Sequence, residues 1–397
     1  MKKMKRRLWT SLMALTLWIA TVGCSSASSI PENTAAPATP SEGSAQTIKI
    51  GVIVSETGPA SSLGKPEAET ARLLKKQIEG QLFNGKKVEL IISDNETNDT
   101  NAVVIAKKMV SQDKVIAIVG GTQTSTSVAI SEVAKENKLP LIALAPLSKE
   151  VLGEYVFQVT QSNATVLQTI IDYLKSNNIT SVAWTNARDA FGQSGLPIFK
   201  ELAKANHIEI VAVEDFDGAA TDMTVQLTKI KPKKPGAVIV WSRPPGAGII
   251  AKNFNQLGFD VPMIQSHAVS NEGFLKQIGA EGEGVLAIGS KMNILDALPD
   301  SEQKQLLMKF NDEFQKEYGT SPGPFGGYMY DGIHLVLKAI SNGHESPQAI
   351  RDYIESGLGK HLGVTGTFEF SADVHDAAAG DGLALLRVAK QGWEPAR

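Results

Sequence analysis

Two doubly wound α/β lobes are the fold class this sequence predicts, and three observations predict it. From Ile48 onward, apolar strand-like runs alternate with amphipathic helical stretches. The runs are mostly continuous Val, Ile and Ala, as in strands of a parallel sheet covered on both faces. The alternation comes in two series, the second beginning near Ser162. With 397 residues, 42% of them hydrophobic, the chain can build two such cores.

The first series opens with a strand over 48–54, stopped by a turn at Gly58-Pro59. Ala68, Ala71, Leu74 and Ile78 recur at helical spacing and predict a helix over 66–79. Pro66 suits its first turn, where a missing N–H costs nothing. A strand over 88–93, a helix over 100–112, a strand over 115–119, a helix over 126–137 and a strand over 139–144 follow. The second series places helices over 163–176, 193–206, 221–230 and 247–257. Strands over 181–185, 208–213, 237–241 and 261–265 alternate with them. The tail breaks the pattern. Residues 302–318, 326–342 and 347–356 read as helices without intervening strands, so the chain is expected to return and cover the first lobe. Strands over 367–370 and 383–388 then lead it across again.

The N-terminus reads as an export signal. Lys2, Lys3, Lys5, Arg6 and Arg7 precede an apolar run from Leu8 to Val22, and Gly23 precedes Cys24. This layout resembles a bacterial lipobox, which implies cleavage before Cys24 and acylation of that residue. The mature protein would then be extracytoplasmic and held to the cell membrane by lipid. The apolar run is short for a stable membrane span. Residues 24–46 are rich in Ser, Ala, Pro and Thr and read as a disordered tether.

Charge and cysteine usage exclude several classes. Removing residues 1–23 takes the formal charge from −3 to −8, which argues against a nucleic-acid partner. Cys24 is the only cysteine, so disulfides and thiolate metal sites are excluded. Gly58 to Lys65 has five residues between its glycines, and Pro66 follows the lysine, so it is not a phosphate loop. No G-x-G-x-x-G follows a strand, and no G-x-S-x-G or H-x-x-x-H motif occurs. Asp94, Glu96 and Asp99 do not have EF-hand spacing and read as a solvated turn before a helix. No metal, cofactor or enzymatic constellation is expected.

The richest local feature is Gly120 to Ser127. Its glycines, hydroxyls and helix start lie at the carboxyl end of a strand, where open α/β sheets bind ligands. Glycine admits close approach, and a helix start offers free N–H groups, which together suit a carboxylate. Helix capping by Ser or Thr explains the same residues. Three other strand ends face the same way, over 143–148, 185–191 and 241–246. Arg243 could clamp an anion with its planar fork, although a surface charge is the readier reading. Phe191 could supply an aromatic floor or pack locally.

The ordered set IKIGVIVSETGPASSLG, VVIAKKMVSQDKVIAIVGGTQTSTSVAISEVAKENKLPLIALAP and WTNARDAFGQSG resembles the leucine/isoleucine/valine-binding protein family. These are the type I periplasmic binding proteins of ABC importers. GGYMYDGIHLVLKAI and GVTGTFEFS also look like that family, and the likeness runs from about residue 47 to the end. It implies two lobes joined by a three-strand hinge, with crossings near 160–164, 286–291 and 362–367. The lobes would comprise residues 47–161 plus 290–363 and residues 162–289 plus 364–397. It further implies a monomeric solute-binding protein that closes over a small ligand and delivers it to permease and ATPase subunits.

By the same resemblance, Thr124, with Ser125 beside it, matches the hydroxyl site for the ligand carboxylate. Ala145 matches the residue whose carbonyl accepts from an α-ammonium. Leu63 and Phe191 fall where the family often has aromatic side chains. Leu147 stands where the family has a hydroxyl. Ser266 or His267 stands where it has an acidic partner for the ammonium. A branched-chain or other hydrophobic amino acid is the family expectation. Because Leu147 and His267 depart from the pattern, an amine-free aromatic or keto acid is the alternative. A ligand-sensing subunit of a receptor is another.

Overall fold

A computed structural model describes residues 46–396 apart from 377 and 391. The expected signal, the tether up to residue 45 and Cys24 lie outside the described residues. Among the described residues, no helix is long and apolar enough to cross a membrane.

The first sheet is wholly parallel, in the order β2-β1-β3-β4-β5. Its strands are β1 (Thr47–Val54), β2 (Lys87–Asp94), β3 (Ile118–Gly120), β4 (Leu141–Ala143) and β5 (Val156–Gln158). Strand periodicity sends alternate residues to opposite faces. Ile48, Ile50 and Val52 therefore meet α1 (Ser61–Ile78) and α10 (Gly323–Ser341), whereas Ile53, Ile118 and Leu141 meet α2 (Asp99–Lys108) and α3 (Thr124–Glu136). The remaining helices of this lobe are α9 (Glu302–Tyr318) and α11 (Pro347–Asp352). α9, α10 and α11 thus pack with residues of the first sheet and α1.

The second sheet has the order β14-β13-β10-β9-β8-β6-β7. It comprises β6 (Ser181–Ala187), β7 (Glu209–Phe216), β8 (Ala237–Trp241), β9 (Met263–Gln265), β10 (Leu286–Ser290), β13 (Leu383–Ala389) and β14 (Gly392–Pro395). It is parallel from β7 to β10 and ends in an antiparallel edge of β13 and β14. The helices α4 (Asn163–Ser176) and α5 (Ala190–Ala205) pack on one face. On the other lie α6 (Thr224–Ile230), α7 (Gly246–Gln256) and α8 (Glu272–Ile278).

The chain passes between the sheets three times. Residues 159–162 make the first passage. The second, Lys291–Ala297, is a run of 3-10 turns rather than a strand. The third differs from expectation. Residues 361–368 form a short hairpin of β11 (His361–Leu362) and β12 (Thr367–Phe368), and Phe368, Phe370 and Ala378 belong to the first core. His375 stacks on Phe157 with centroids 4.2 Å apart. Phe368, Phe370, His375 and Ala378 therefore stay with the first lobe, and the third crossing lies near 379–382 instead of 362–367.

The first helix also begins earlier than expected, at Ser61, so Pro66 lies inside it. Its missing N–H forfeits one bond near the helix start, while Leu63, Glu67 and Leu74 continue one buried face across it. Gly64 makes that early start possible. A Cβ there would sit 2.0 Å from the Ser55 carbonyl oxygen, a backbone atom that cannot swing away. Gly64→Ala is expected to destabilise the protein by about 1–3 kcal/mol through overpacking, read by urea unfolding. Wild-type stability would show that the contact relaxes freely.

Candidate functional site

The parallel strands of both sheets point their carboxyl ends at one cleft, where a cavity opens. From the first lobe come Leu63 after β1, Thr122 to Thr124 after β3, Leu144 to Pro146 after β4 and Thr160 after β5. From the second come Phe191 after β6, Arg243 after β8, and His267 and Ala268 after β9. Phe325 and Tyr328 reach it from the first turns of α10.

Of the residues singled out by sequence, Leu63, Thr124, Ala145, Phe191, Arg243 and His267 line this cavity together. Two do not. Leu147 is buried in the core between β4 and α3, and its N–H donates to Gln158 Oε1 at 2.6 Å. The ordinary fate of a leucine beside a buried strand outweighs its aligned position. Ser125 sits on α3 but not on the cavity wall.

Arg243 corrects the surface reading. Its side chain is 21% exposed and lines the cavity. Its Nε lies 3.3 Å from Asp189 Oδ2, on the residue that caps α5. The Gln123 amide oxygen, oriented as its neighbours require, accepts from Arg243 Nε at 3.2 Å and Nη2 at 3.0 Å. Because Gln123 belongs to the first lobe and Arg243 to the second, this bond spans the cleft.

The Thr124 hydroxyl donates to the Pro146 carbonyl at 3.1 Å. The N–H groups of the first turn of α3 have no carbonyl partner within the helix, and Thr124, the first residue of that turn, lines the cavity. His267 is buried and desolvation lowers its pKa to about 4, so it is neutral at neutral pH. Its Nδ1 has no hydrogen-bond partner. The ring meets Phe191 edge-on at 5.5 Å, and Phe191 stacks on Trp241 at 5.4 Å. Trp241 stacks on Trp184, and Trp184 on Phe199. This aromatic column fixes one wall through packing rather than through loop contacts.

Sequence reasoning included Gln123 in its candidate loop without giving it a role, and missed Thr160, Ala268, Phe325 and Tyr328. The two aromatics are three residues apart on a helix and so share a face. That spacing was legible, but which face meets the cleft depends on tertiary packing. Tyr328 donates to Gln161 Oε1 at 3.2 Å, and Gln161 Nε2 donates to the Thr365 carbonyl at 3.0 Å. The cavity wall is thereby tied to the first passage and to the hairpin that precedes the third. No cluster of His, Cys, Asp and Glu that could hold a metal occurs among the described residues.

Comparison with known proteins agrees with this architecture. Residues 47–392 match the sequence profile of the periplasmic binding protein family. An amino acid binding protein of Pseudomonas aeruginosa is 22% identical over 321 residues, 78% of this chain and 82% of that protein. The branched-chain amino acid transporter substrate binding protein LivJ of Streptococcus pneumoniae, solved with isoleucine, is 25% identical with a TM-score of 0.78. That match covers 88% of this chain and 98% of that one. A solute binding protein of an ABC transporter from Rhodopseudomonas palustris, solved with 3,4-dihydroxy benzoic acid, is 26% identical with a TM-score of 0.74. Here 87% of this chain and 94% of that one are covered. The chain belongs to the periplasmic binding protein family, in the type I group of the leucine/isoleucine/valine-binding proteins.

Proposed function

We propose that the protein is the extracytoplasmic solute-binding subunit of an ABC importer, tethered through a lipidated Cys24. Its two lobes close over a small carboxylate with an apolar, amine-free body, such as an aromatic or keto acid. One observation carries the ligand reading. Among the residues lining the cavity, Arg243 alone is charged at neutral pH, and none is a carboxylate. An ammonium desolvated there would have no counter-charge, whereas a carboxylate would face a guanidinium and the start of α3. Leu63, Phe191, Phe325 and Tyr328 would enclose its apolar body. Closure would be favoured because the ligand contacts both lobes only in the closed state.

A branched-chain amino acid is the second reading. It is supported by the amino-acid-binding relative and the isoleucine complex. In it Ala145 and the other loop carbonyls would have to hold the ammonium unaided.

Isothermal titration calorimetry with benzoate, α-ketoisocaproate, leucine and isoleucine separates the two. The expected result is binding of the amine-free acids at least tenfold tighter than of either amino acid. Tighter binding of leucine or isoleucine would establish the second reading. Binding of none would remove the carboxylate site altogether.

A further inference from the structure

Glu67 is completely buried on α1, one helical turn beyond the cavity residue Leu63. It does not line the cavity, but it touches a residue that does. Glu67 Oε2 lies 2.5 Å from Thr122 Oγ1, and Thr122 forms part of the wall. The Ser55 N–H donates to the same Thr122 oxygen at 2.8 Å. Glu67 Oε1 has no hydrogen-bond partner.

A threonine hydroxyl has one proton to give and two lone pairs to offer. The Ser55 N–H occupies one lone pair. What remains for the cavity depends on the proton between Glu67 and Thr122. If Glu67 is ionised, the Thr122 proton is committed to it, and Thr122 shows a ligand only a lone pair, which suits an ammonium. If Glu67 carries the proton, it fills the second lone pair, and the Thr122 proton is free to point at a ligand, which suits a carboxylate.

The geometry points to Glu67 as a positioning residue: an uncharged carboxyl that donates to Thr122 Oγ1 and so makes the Thr122 hydroxyl a donor that selects carboxylates. This rests on the amine-free carboxylate reading above and names a further determinant of it. The unpartnered Oε1 agrees, since a buried carboxylate oxygen without a donor is far costlier than a carbonyl oxygen. Burial also raises the Glu67 pKa well above the usual range, opposed only by the Thr122 bond.

Two measurements test it. Infrared difference spectra of ligand-free wild type against Glu67→Gln at neutral pH should show a protonated-carboxyl band that the variant lacks. Carboxylate bands in its place overturn the inference. Titration with benzoate should show Thr122→Val binding about tenfold more weakly or worse, the loss of a charge-assisted hydrogen bond. Thr122→Ser should restore binding. Glu67→Gln, which can donate an amide N–H to Thr122, should stay within about threefold of wild type. Wild-type affinity in a folded Thr122→Val overturns the inference. If wild type binds neither benzoate nor α-ketoisocaproate, the parent reading falls and this one with it. If it binds them while Glu67 is ionised, this inference alone falls.

Discussion

Replacing Arg243 with alanine is expected to weaken binding of benzoate or α-ketoisocaproate by about 30- to 1,000-fold, or about 2–4 kcal/mol. The size follows from how the guanidinium is held. Nε faces Asp189, Nε and Nη2 face the Gln123 amide oxygen, and Nη1 donates to the Pro244 carbonyl at 3.3 Å. These bonds engage three of the five N–H donors of the fork and leave one on each terminal nitrogen for a ligand oxygen. The group is thus oriented before the ligand arrives, and little entropy remains to be lost on binding. Alanine removes the ligand contacts, the only cavity-lining charge and the bond across the cleft together. Arg243→Lys keeps a charge but not the fork, so it should recover only a minor part of the loss. Calorimetric affinities, with the melting temperature of the unliganded variant as a folding control, decide the matter. An Arg243→Ala protein that binds the acids as wild type does would remove Arg243 from the site.

The β-α alternation was legible because each element buries continuous apolar sequence. The strand Ala237–Trp241 and the helices Asn163–Ser176 and Glu302–Tyr318 have the bounds that the apolar spacing predicted. What was not legible is short or decided at a distance. Val156–Gln158 is a three-residue strand, too short for any period to register, yet it closes the first sheet and carries the Gln158 side chain that holds Leu147. The third crossing was misplaced because Phe368 and Phe370 look the same whichever core they enter, and only the stacking of His375 on Phe157 and its neighbours settles it. The loop after β3 stood out through glycine: Gly121 has φ +84°, and a Cβ there would press on Ser127. Arg243, by contrast, sits among prolines and small residues that carry no orientation signal. Its inward placement depends on Asp189 and Gln123, which come from other loops and, for Gln123, from the other lobe.

Removing the Asp331 carboxyl is expected to cost about 3–5 kcal/mol of stability, with a dependence on pH that identifies the cause. Asp331 is buried on α10 and receives three hydrogen bonds from the hairpin ahead of the third crossing. They come from the Val364 N–H at 2.8 Å, the Thr365 N–H at 2.9 Å and the Thr365 hydroxyl at 2.6 Å. Asp331→Ala leaves two backbone N–H groups buried without acceptors. Thr365 also accepts from Gln161, which in turn accepts from Tyr328, so the same change should loosen the cavity wall and weaken ligand binding. Burial raises the Asp331 pKa to about 6 from its ordinary 3.8, against the opposing pull of those hydrogen bonds. Between these two values the folded protein holds the proton more tightly than the unfolded chain. The contribution of Asp331 is therefore greatest below the lower value and shrinks as pH rises through the upper one. The full swing is about 3 kcal/mol, of which about 1 kcal/mol falls between about pH 7 and about pH 5. The deficit of Asp331→Ala relative to wild type should accordingly grow on acidification. His267 and His361, both lowered to about 4 by desolvation, titrate in an overlapping window with the opposite sign. They are common to both proteins, so the difference between them isolates Asp331. Urea unfolding of the pair at the two pH values is the measurement. A deficit that is constant, or that shrinks at low pH, would show that Asp331 does not titrate as its burial requires.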